Sequence, residues 1–202
     1  ESFEESPFNV KGEFRIIELE EKCIAMPGFI DCHTHICYAG TRSKDYSMRL
    51  SGQSYQAIAK AGGGILSTVK HTRAANSYDL YDLTKDRLLK LLKSGTTTCE
   101  IKSGYGLDLL SEIKMLKVIE RLNNEVPTTV VPTFLGAHVK PPEYESHKEY
   151  LDYLVKEALP ELQFQSLAKR VDIFVEDGAF NPEIAKEYLL SAKNSGFSLT
   201  VH

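Results

Sequence analysis

Two histidines separated by one residue, His33 and His35, are the side chains in this chain whose spacing most directly suggests metal chemistry. They follow Phe29 and Ile30, which are typical of a short buried strand. Successive strand side chains point to opposite faces, so both imidazoles would project the same way, with backbones about 6–7 Å apart. Such a pair can converge on one zinc or iron ion with a position left for water. The same pattern also fits a polar strand end that binds no metal.

The elements that would position these histidines alternate between strand and helix. Short β-branched or apolar runs predict five strands, at 29–35, 96–101, 128–135, 171–175 and 198–202. Apolar stripes between them predict helices. One has Leu109, Ile113, Leu116 and Ile119 on one face with Asp108 or Ser111 as its cap, one over about 147–168 should be broken by Pro160, and one covers about Pro182–Asn194. Pro132 should disturb the middle of the third strand, because it lacks a backbone donor. The glycine-rich segment 36–76 contains one predicted short helix, Tyr55–Lys60. This order predicts β-α-β crossovers and a parallel sheet, either doubly wound or part of a (β/α)8 barrel.

Polar residues at the carboxyl ends of the predicted strands favour the barrel. They are His33 and His35, the run 102–105, His138, Glu176 and His202. A barrel gathers its chemistry on that face, whereas a doubly wound sheet would need a glycine fingerprint after its first strand. We therefore predict an α/β chain in which residues 27–202 form the first five β/α units of a (β/α)8 TIM-like barrel. A complete barrel needs about 250 residues, so we expect a truncated chain. Residues 1–26 are interpreted as strands of a small flanking β-domain.

The remaining histidines and the cysteines fall into distinct groups. His202 ends the fifth predicted strand and is the candidate third metal ligand. His138 follows the third strand and suggests a substrate-binding or acid/base group. His71 and His147 lie in predicted helices or loops, where we expect solvated side chains. Cys37 would share the metal face only if the first strand continued, and all four cysteines are interpreted as small buried residues.

Composition excludes several functional classes. The net charge of -4 argues against a non-specific nucleic-acid binder, which needs a basic face. No run of 18 apolar residues is present, so no membrane span is predicted. The four cysteines form no Cys-x-x-Cys pair, which fits a reducing cytoplasm.

Several motifs resemble those of a known family. Pro-Gly-Phe-Ile-Asp-Cys-His-Thr-His at 27–35 resembles the first-strand signature of the metal-dependent amidohydrolase superfamily, which includes dihydroorotases, deaminases and imidazolone hydrolases. Four further segments are more specific, and together they resemble the imidazolonepropionase family over about residues 26–202. They are Ala-Gly-Thr-Arg at 39–42, Ala-Gly-Gly-Gly-Ile at 61–65, Glu-Ile-Lys-Ser-Gly-Tyr-Gly-Leu at 100–107 and Leu-Gly-Ala-His at 135–138.

The resemblance implies a reaction, hydrolytic opening of 4-imidazolone-5-propanoate to N-formimidoyl-L-glutamate in histidine degradation. It implies one divalent or trivalent metal ion, zinc or iron, whose ligands match His33, His35 and His202. It further implies a small-molecule anionic substrate, with no nucleic acid and no membrane as partner. We also expect a homodimer.

The resemblance also assigns the substrate-binding residues. Arg42, Tyr105 and His138 match positions that contact substrate, and His138 is the catalytic candidate among them. An arginine fork suits the substrate's propanoate, because it can donate two hydrogen bonds to one carboxylate. Some relatives use a carboxylated lysine to bridge two metal ions, and Lys102 is a candidate for that role. The pattern of histidines here indicates a site for one metal ion instead. Glu176 is at most a group that supports a metal ligand.

Two alternatives stay open at this point. The first is another cyclic-amide hydrolase or a deaminase of the same superfamily, and the second is a metal-free, inactive fragment that serves in binding or assembly. The family's acid/base glutamate and its aspartate ligand would lie beyond His202. We therefore expect little hydrolase activity from these 202 residues alone.

Overall fold

The computed structural model describes residues 23–54, 57–58 and 61–202. Its strands form one parallel sheet in the order β1-β2-β3-β4-β5, so neighbours in sequence are neighbours in space. The strands are β1 Phe29–Asp31, β2 Thr96–Lys102, β3 Thr129–Ala137, β4 Arg170–Ile173 and β5 Ser198–Leu199. A doubly wound sheet reverses its strand order at a switch point. The sequential order is instead compatible with part of a (β/α) barrel.

Helices connect the strands and cover one face of the sheet with apolar side chains. They are α1 Ser43–Leu50, α2 Ile65–Ala74, α3 Ser77–Lys93, α4 Leu109–Glu125, α5 His147–Tyr153, α6 Leu159–Gln165 and α7 Pro182–Asn194. The predicted stripe of α4 is buried at Ile113, Leu116 and Ile119, and Asp108 caps this helix by accepting from the amide of Ser111. Sequence patterns did not indicate α1 or α2. The predicted helix Tyr55–Lys60 lies, apart from residues 57 and 58, outside the described residues.

Two prolines lie inside regular structure that they were expected to disturb. Pro160 does not break its helix, because the π-helical turn Leu154–Ala158 joins α5 to α6 and places the proline in the first turn of α6. A proline in that turn leaves no helical hydrogen bond unmade. Pro132 lies within β3, where pairing with β4 begins only at Thr133. The missing donor of Pro132 therefore costs no hydrogen bond to β4.

The first strand differs from its prediction. It ends at Asp31 rather than His35, and its residues Phe29 and Ile30 are 54% and 71% exposed rather than buried. The reason is that β1 lies at the edge of the described sheet and pairs only with β2. β4 and β5 are likewise shorter than predicted, and β3 runs two residues further, to Ala137.

The segment before the sheet is the one predicted to form a small flanking β-domain. Residues 1–22, which contain most of the predicted flanking β-domain, lie outside the described residues. Cys23–Ala25, predicted as part of a short strand there, have no regular secondary structure. Among the helices of the described residues, none combines the length and apolar character that crossing a membrane requires.

Candidate active site

Three histidines converge at the carboxyl ends of β1 and β5. His33 and His35 follow β1 and His202 follows β5, and one ligand nitrogen from each lies within 4.8 Å of the others. The Nε2 atoms of His33 and His35 are 3.1 Å apart. Two nitrogens bound tetrahedrally to one zinc ion would lie about 3.3 Å apart, given zinc–nitrogen bonds of about 2.0–2.1 Å. The spacing of these residues, hereafter the three-histidine cluster, therefore suits one shared ion.

Strand alternation brings His33 and His35 together even though neither lies in a regular strand. Beyond β1 the chain still runs beside β2, because the amide of Lys102 donates to the carbonyl of Thr34 at 3.1 Å. Thr34 points the other way, is buried, and donates its hydroxyl to the carbonyl of Glu100 at 2.6 Å. The predicted alternation of side chains thus continues past the end of β1.

His202 is oriented by a buried carboxylate on the neighbouring strand. Its Nδ1 lies 3.1 Å from Oδ2 of Asp172, a residue that is 0% exposed. Burial alone would raise the pKa of Asp172, but hydrogen bonds from His202 and Lys102, together with the charge of Lys102, lower it to about 2. Because an ionised carboxylate only accepts, Nδ1 of His202 must carry the proton. Its Nε2 is therefore the nitrogen with a lone pair for a metal.

The chemistry of His35 also fits a metal ligand. Burial, helped by the neighbouring histidines His138, His202 and His33, lowers the pKa of His35 to about 3. Its imidazole is therefore neutral near pH 7, as a ligand must be. Its buried Nδ1 has no hydrogen-bond partner within the described part of the chain. A set of three imidazole nitrogens suits zinc or iron(II).

His138 lies beside the cluster at the carboxyl end of β3. Its ring stacks on that of His35 with centroids 5.1 Å apart, and only 6% of the residue is exposed. Nδ1 lies 2.8 Å from the carbonyl oxygen of Gly104, so Nδ1 donates and Nε2 is left as an acceptor. Burial is the main cause that lowers the pKa of His138, to about 4. His138 is therefore a neutral acceptor near pH 7, held next to the proposed metal ligands.

The other two predicted substrate residues line a cavity next to His138. Tyr105 has its ring centroid 5.2 Å from that of His138, and the guanidinium carbon of Arg42 is 5.9 Å from the Tyr105 ring. Tyr38 and Thr68 complete the lining of this cavity of about 220 Å³, hereafter the arginine pocket. Thr68 accepts a 2.9 Å hydrogen bond from Nε of Arg42. The pocket presents a fixed cation to an anionic ligand.

Sequence reasoning singled out Lys102 but missed the two buried carboxylates that pair with it, those of Glu100 and Asp172. Nζ of Lys102 lies 2.7 Å from Oε2 of Glu100 and 2.6 Å from Oδ2 of Asp172. All three residues are at most 3% exposed. A signal was present, because Glu100 lies in the predicted strand 96–101 and Lys102, two residues later, follows it directly, and charges on one face of a buried strand need partners. The partner on β4 could not be identified without the strand register.

Other residues considered in the sequence lie away from the cluster. Glu176 is exposed, and its carboxylate accepts from the amide of Asp177. His71 is exposed as predicted, whereas His147 is half-buried with its ring edge against Phe180. Cys37 is buried, and burial raises its pKa to about 12, so it stays a neutral thiol. None of these groups reaches the three histidines.

Curated proteins that are similar to this chain carry the name imidazolonepropionase. The chain is 47% identical over 190 residues to an imidazolonepropionase of Symbiobacterium thermophilum, which covers 93% of this chain and 44% of that protein. Imidazolonepropionases of Bdellovibrio bacteriovorus and Hahella chejuensis are 47% and 49% identical over 177 residues, 88% and 87% of this chain and 41% and 44% of theirs. No family model matches the chain. The resemblance indicated by the motifs is confirmed, for a chain that spans less than half the length of these relatives.

Proposed function

We propose that this chain is part of a metal-dependent hydrolase that opens the ring of 4-imidazolone-5-propanoate to give N-formimidoyl-L-glutamate. The observation that carries the proposal is that the three-histidine cluster lies close to the arginine pocket, with His138 between them. The ring of His138 is 5.1 Å from that of His35 in the cluster and 5.2 Å from that of Tyr105 in the pocket. The similarity to imidazolonepropionases supports the same reaction. A mononuclear centre and an anion-binding pocket are the two parts that this substrate requires.

The three-histidine cluster would hold one ion, zinc or iron. Such an ion, when bound, lowers the pKa of a coordinated water and polarises the oxygen of the bond to be hydrolysed. The chain supports the ion through neutral imidazoles, of which His202 has its tautomer set by Asp172 and His35 has its pKa lowered to about 3 by burial. These features leave metal-binding lone pairs available near neutral pH.

The chain's own residues would bind and orient the substrate. The guanidinium of Arg42 would pair with the propanoate, and Tyr105, which lines the same pocket, would contact the same part of the substrate. His138, whose Nδ1–H is held by Gly104, offers Nε2 to the ring of the substrate as a hydrogen-bond or proton acceptor. With Arg42 on one side of Tyr105 and His138 on the other, the acidic tail of the substrate would lie away from the three histidines and its ring beside them.

The positive charge of the arginine pocket favours this proposal over the alternative, a related deaminase that acts on a neutral base. A deaminase of cytosine or adenine has no use for a cation at the position of Arg42.

The free thiols of Cys23, Cys32, Cys37 and Cys99 are further consistent with a reducing cytoplasm.

The test combines metal analysis with a substrate panel. The full-length hydrolase that contains this chain is purified and assayed for bound zinc and iron, and for hydrolysis of 4-imidazolone-5-propanoate, of 4-imidazolone without the propanoate, and of cytosine. We expect about one ion per chain and turnover that requires the propanoate. His35→Ala should lose the ion, while His71→Ala, a change at an exposed histidine, should retain it. Turnover of cytosine alone would indicate a deaminase, and a protein with neither metal nor turnover would refute the proposal.

A further inference from the structure

A buried ion array lies directly beneath the three-histidine cluster. It consists of Glu100, Lys102 and Asp172, with the ammonium 2.7 Å from one carboxylate and 2.6 Å from the other. The hydroxyl of Thr133 donates to the remaining oxygen of Glu100 at 2.6 Å and fixes that end. At the other end, Oδ2 of Asp172 also receives Nδ1 of His202 at 3.1 Å. The array therefore connects β2, β3 and β4 to the proposed ligand that follows β5.

Fold stability alone gives no good reason for such an array. Removing each ion from water costs several kcal/mol, and apolar residues of similar volume often stabilise a core as well or better. The three groups are 3%, 1% and 0% exposed, so water contributes little to their solvation. Buried ionic groups of this kind are expected where they orient a functional side chain. The side chain at the end of this array is that of His202.

The geometry points to Lys102 as a positioning residue for the metal centre, an inference that rests on the proposed function. Its ammonium fixes the carboxylate of Asp172, which then holds His202 as the Nδ1–H tautomer with Nε2 presented to the ion. Without the ammonium, Asp172 would be free to rotate away from His202.

The same geometry excludes Lys102 as a bridging ligand. A carboxylated lysine is an anion, and here it would lie within about 3 Å of two further carboxylates, from Glu100 and Asp172. Lys102 therefore acts as the cation of the array, which agrees with a centre that holds a single ion.

The experiment measures the tautomer of His202 and the affinity for metal in three variants. Lys102→Met removes the cation, Lys102→Met with Glu100→Gln also removes the carboxylate left without a partner, and Asp172→Ala removes the acceptor through which Lys102 acts. The tautomer is read from the ¹⁵N shifts of His202 in metal-free, histidine-labelled protein, assigned with His202→Gln. Zinc affinity is measured by competition with a chelator.

We expect each variant that folds to lose the pure Nδ1–H state of His202 and to bind zinc about 10- to 100-fold more weakly. Lys114→Met is the matched control, because that ammonium donates to the carbonyls of Thr72, Arg73 and Ala75, away from the cluster. This control should lower the melting temperature and leave both the tautomer and zinc affinity unchanged.

The outcomes separate this inference from the proposed function. If the wild-type protein binds no metal, the proposed function fails, while the tautomer of His202 still tests the role of Lys102. If the wild type binds zinc and the folded variants keep both its affinity and the Nδ1–H tautomer, Lys102 is purely structural and the inference is wrong. Should both Lys102 variants fail to fold, unchanged zinc affinity and an unchanged His202 tautomer in Asp172→Ala would overturn the inference equally.

Discussion

Glu112 holds the backbone on both sides of Tyr105. This carboxylate in α4 is 1% exposed and accepts from the amides of Gly104 at 2.9 Å, Gly106 at 2.7 Å and Leu107 at 2.9 Å. The loop that carries Tyr105 into the arginine pocket is thus attached to a helix that covers the sheet. The position of the Tyr105 side chain depends on these hydrogen bonds.

Glu112→Gln should loosen this loop without affecting the metal centre. An amide has one acceptor oxygen, so at least one backbone donor loses its charged partner, at a cost of about 1.5–3 kcal/mol in the free energy of unfolding. We expect KM for the substrate to rise while zinc content stays at the wild-type level. Glu120→Gln, at an exposed position of the same helix, is the control. A variant with wild-type KM would show that Glu112 does not position Tyr105.

Metal binding should stabilise the folded protein through the three histidines. A ligand that binds only the native state adds about 2.7 kcal/mol at one hundred times its dissociation constant. Adding zinc to metal-free protein should therefore raise the melting temperature, and His33→Ala or His202→Ala should abolish most of that rise. His147→Ala serves as a control, because this histidine packs against Phe180 outside the cluster. An equal rise in wild type and both cluster variants would place the metal elsewhere.

Arg42 should determine the preference for an anionic substrate. A charge-assisted hydrogen bond contributes about 1.5–3 kcal/mol, so Arg42→Ala should lower kcat/KM for 4-imidazolone-5-propanoate about ten- to a hundredfold. Arg42→Lys should recover only part of this loss, since an ammonium cannot donate two parallel hydrogen bonds. Rates with the analogue that lacks the propanoate should barely change. Equal losses with both substrates would mean that Arg42 acts only through the structure of the pocket.

Thr68 should affect binding of the anionic substrate more weakly than Arg42 does. Its hydroxyl accepts from Nε of Arg42, which leaves the terminal nitrogens of the guanidinium for the substrate. Thr68→Val keeps the shape of this buried side chain but removes the acceptor. We expect KM to rise about two- to tenfold, because a neutral hydrogen bond contributes about 0.5–1.5 kcal/mol. Thr72→Val, in the same helix, removes an acceptor for Ala39 rather than Arg42 and should leave KM unchanged.

Local patterns in the sequence were sufficient to place the residues of the cluster. His33 and His35 follow from alternation along an extended segment, which persists even where the strand's regular pairing has ended. His138 and His202 follow because parallel strands end at one edge, whatever their exact lengths. The helix Pro182–Asn194 was predicted at its observed bounds because its proline start and glycine stop are both local signals.

Features that depend on three-dimensional register were not predictable in this way. Asp172 and Lys102 are 70 residues apart and lie on strands separated by β3, so no local pattern relates them. The contact of Glu112 with the Tyr105 loop depends on how α4 packs against β3. Pro160 was misjudged because a π-helical turn is a response of the whole helix to packing on both sides, rather than a preference of one residue.

The buried histidines should make the fold sensitive to mild acid. The folded pKa of His138 is about 4, below the value of 6.5 expected in the unfolded chain. Between these values the unfolded state binds the proton preferentially, so stability is full above pH 6.5 and falls as the pH decreases towards 4. With these two pKa values, preferential protonation of His138 in the unfolded chain should lower the free energy of unfolding by about 2 kcal/mol as the pH falls from 7.5 to 5.

His138→Gln tests this pH dependence directly. Glutamine can still donate to the carbonyl of Gly104 but does not titrate, so urea unfolding of the metal-free variant should lose stability less steeply on acidification than wild type. Some pH dependence should remain, because His35 has a folded pKa of about 3 and contributes with the same sign. His71→Gln, at an exposed position, should follow the wild-type curve. Parallel curves for His138→Gln and wild type would show that His138 is not held as a buried neutral imidazole, and its role as an acceptor beside the metal centre would lose its physical basis.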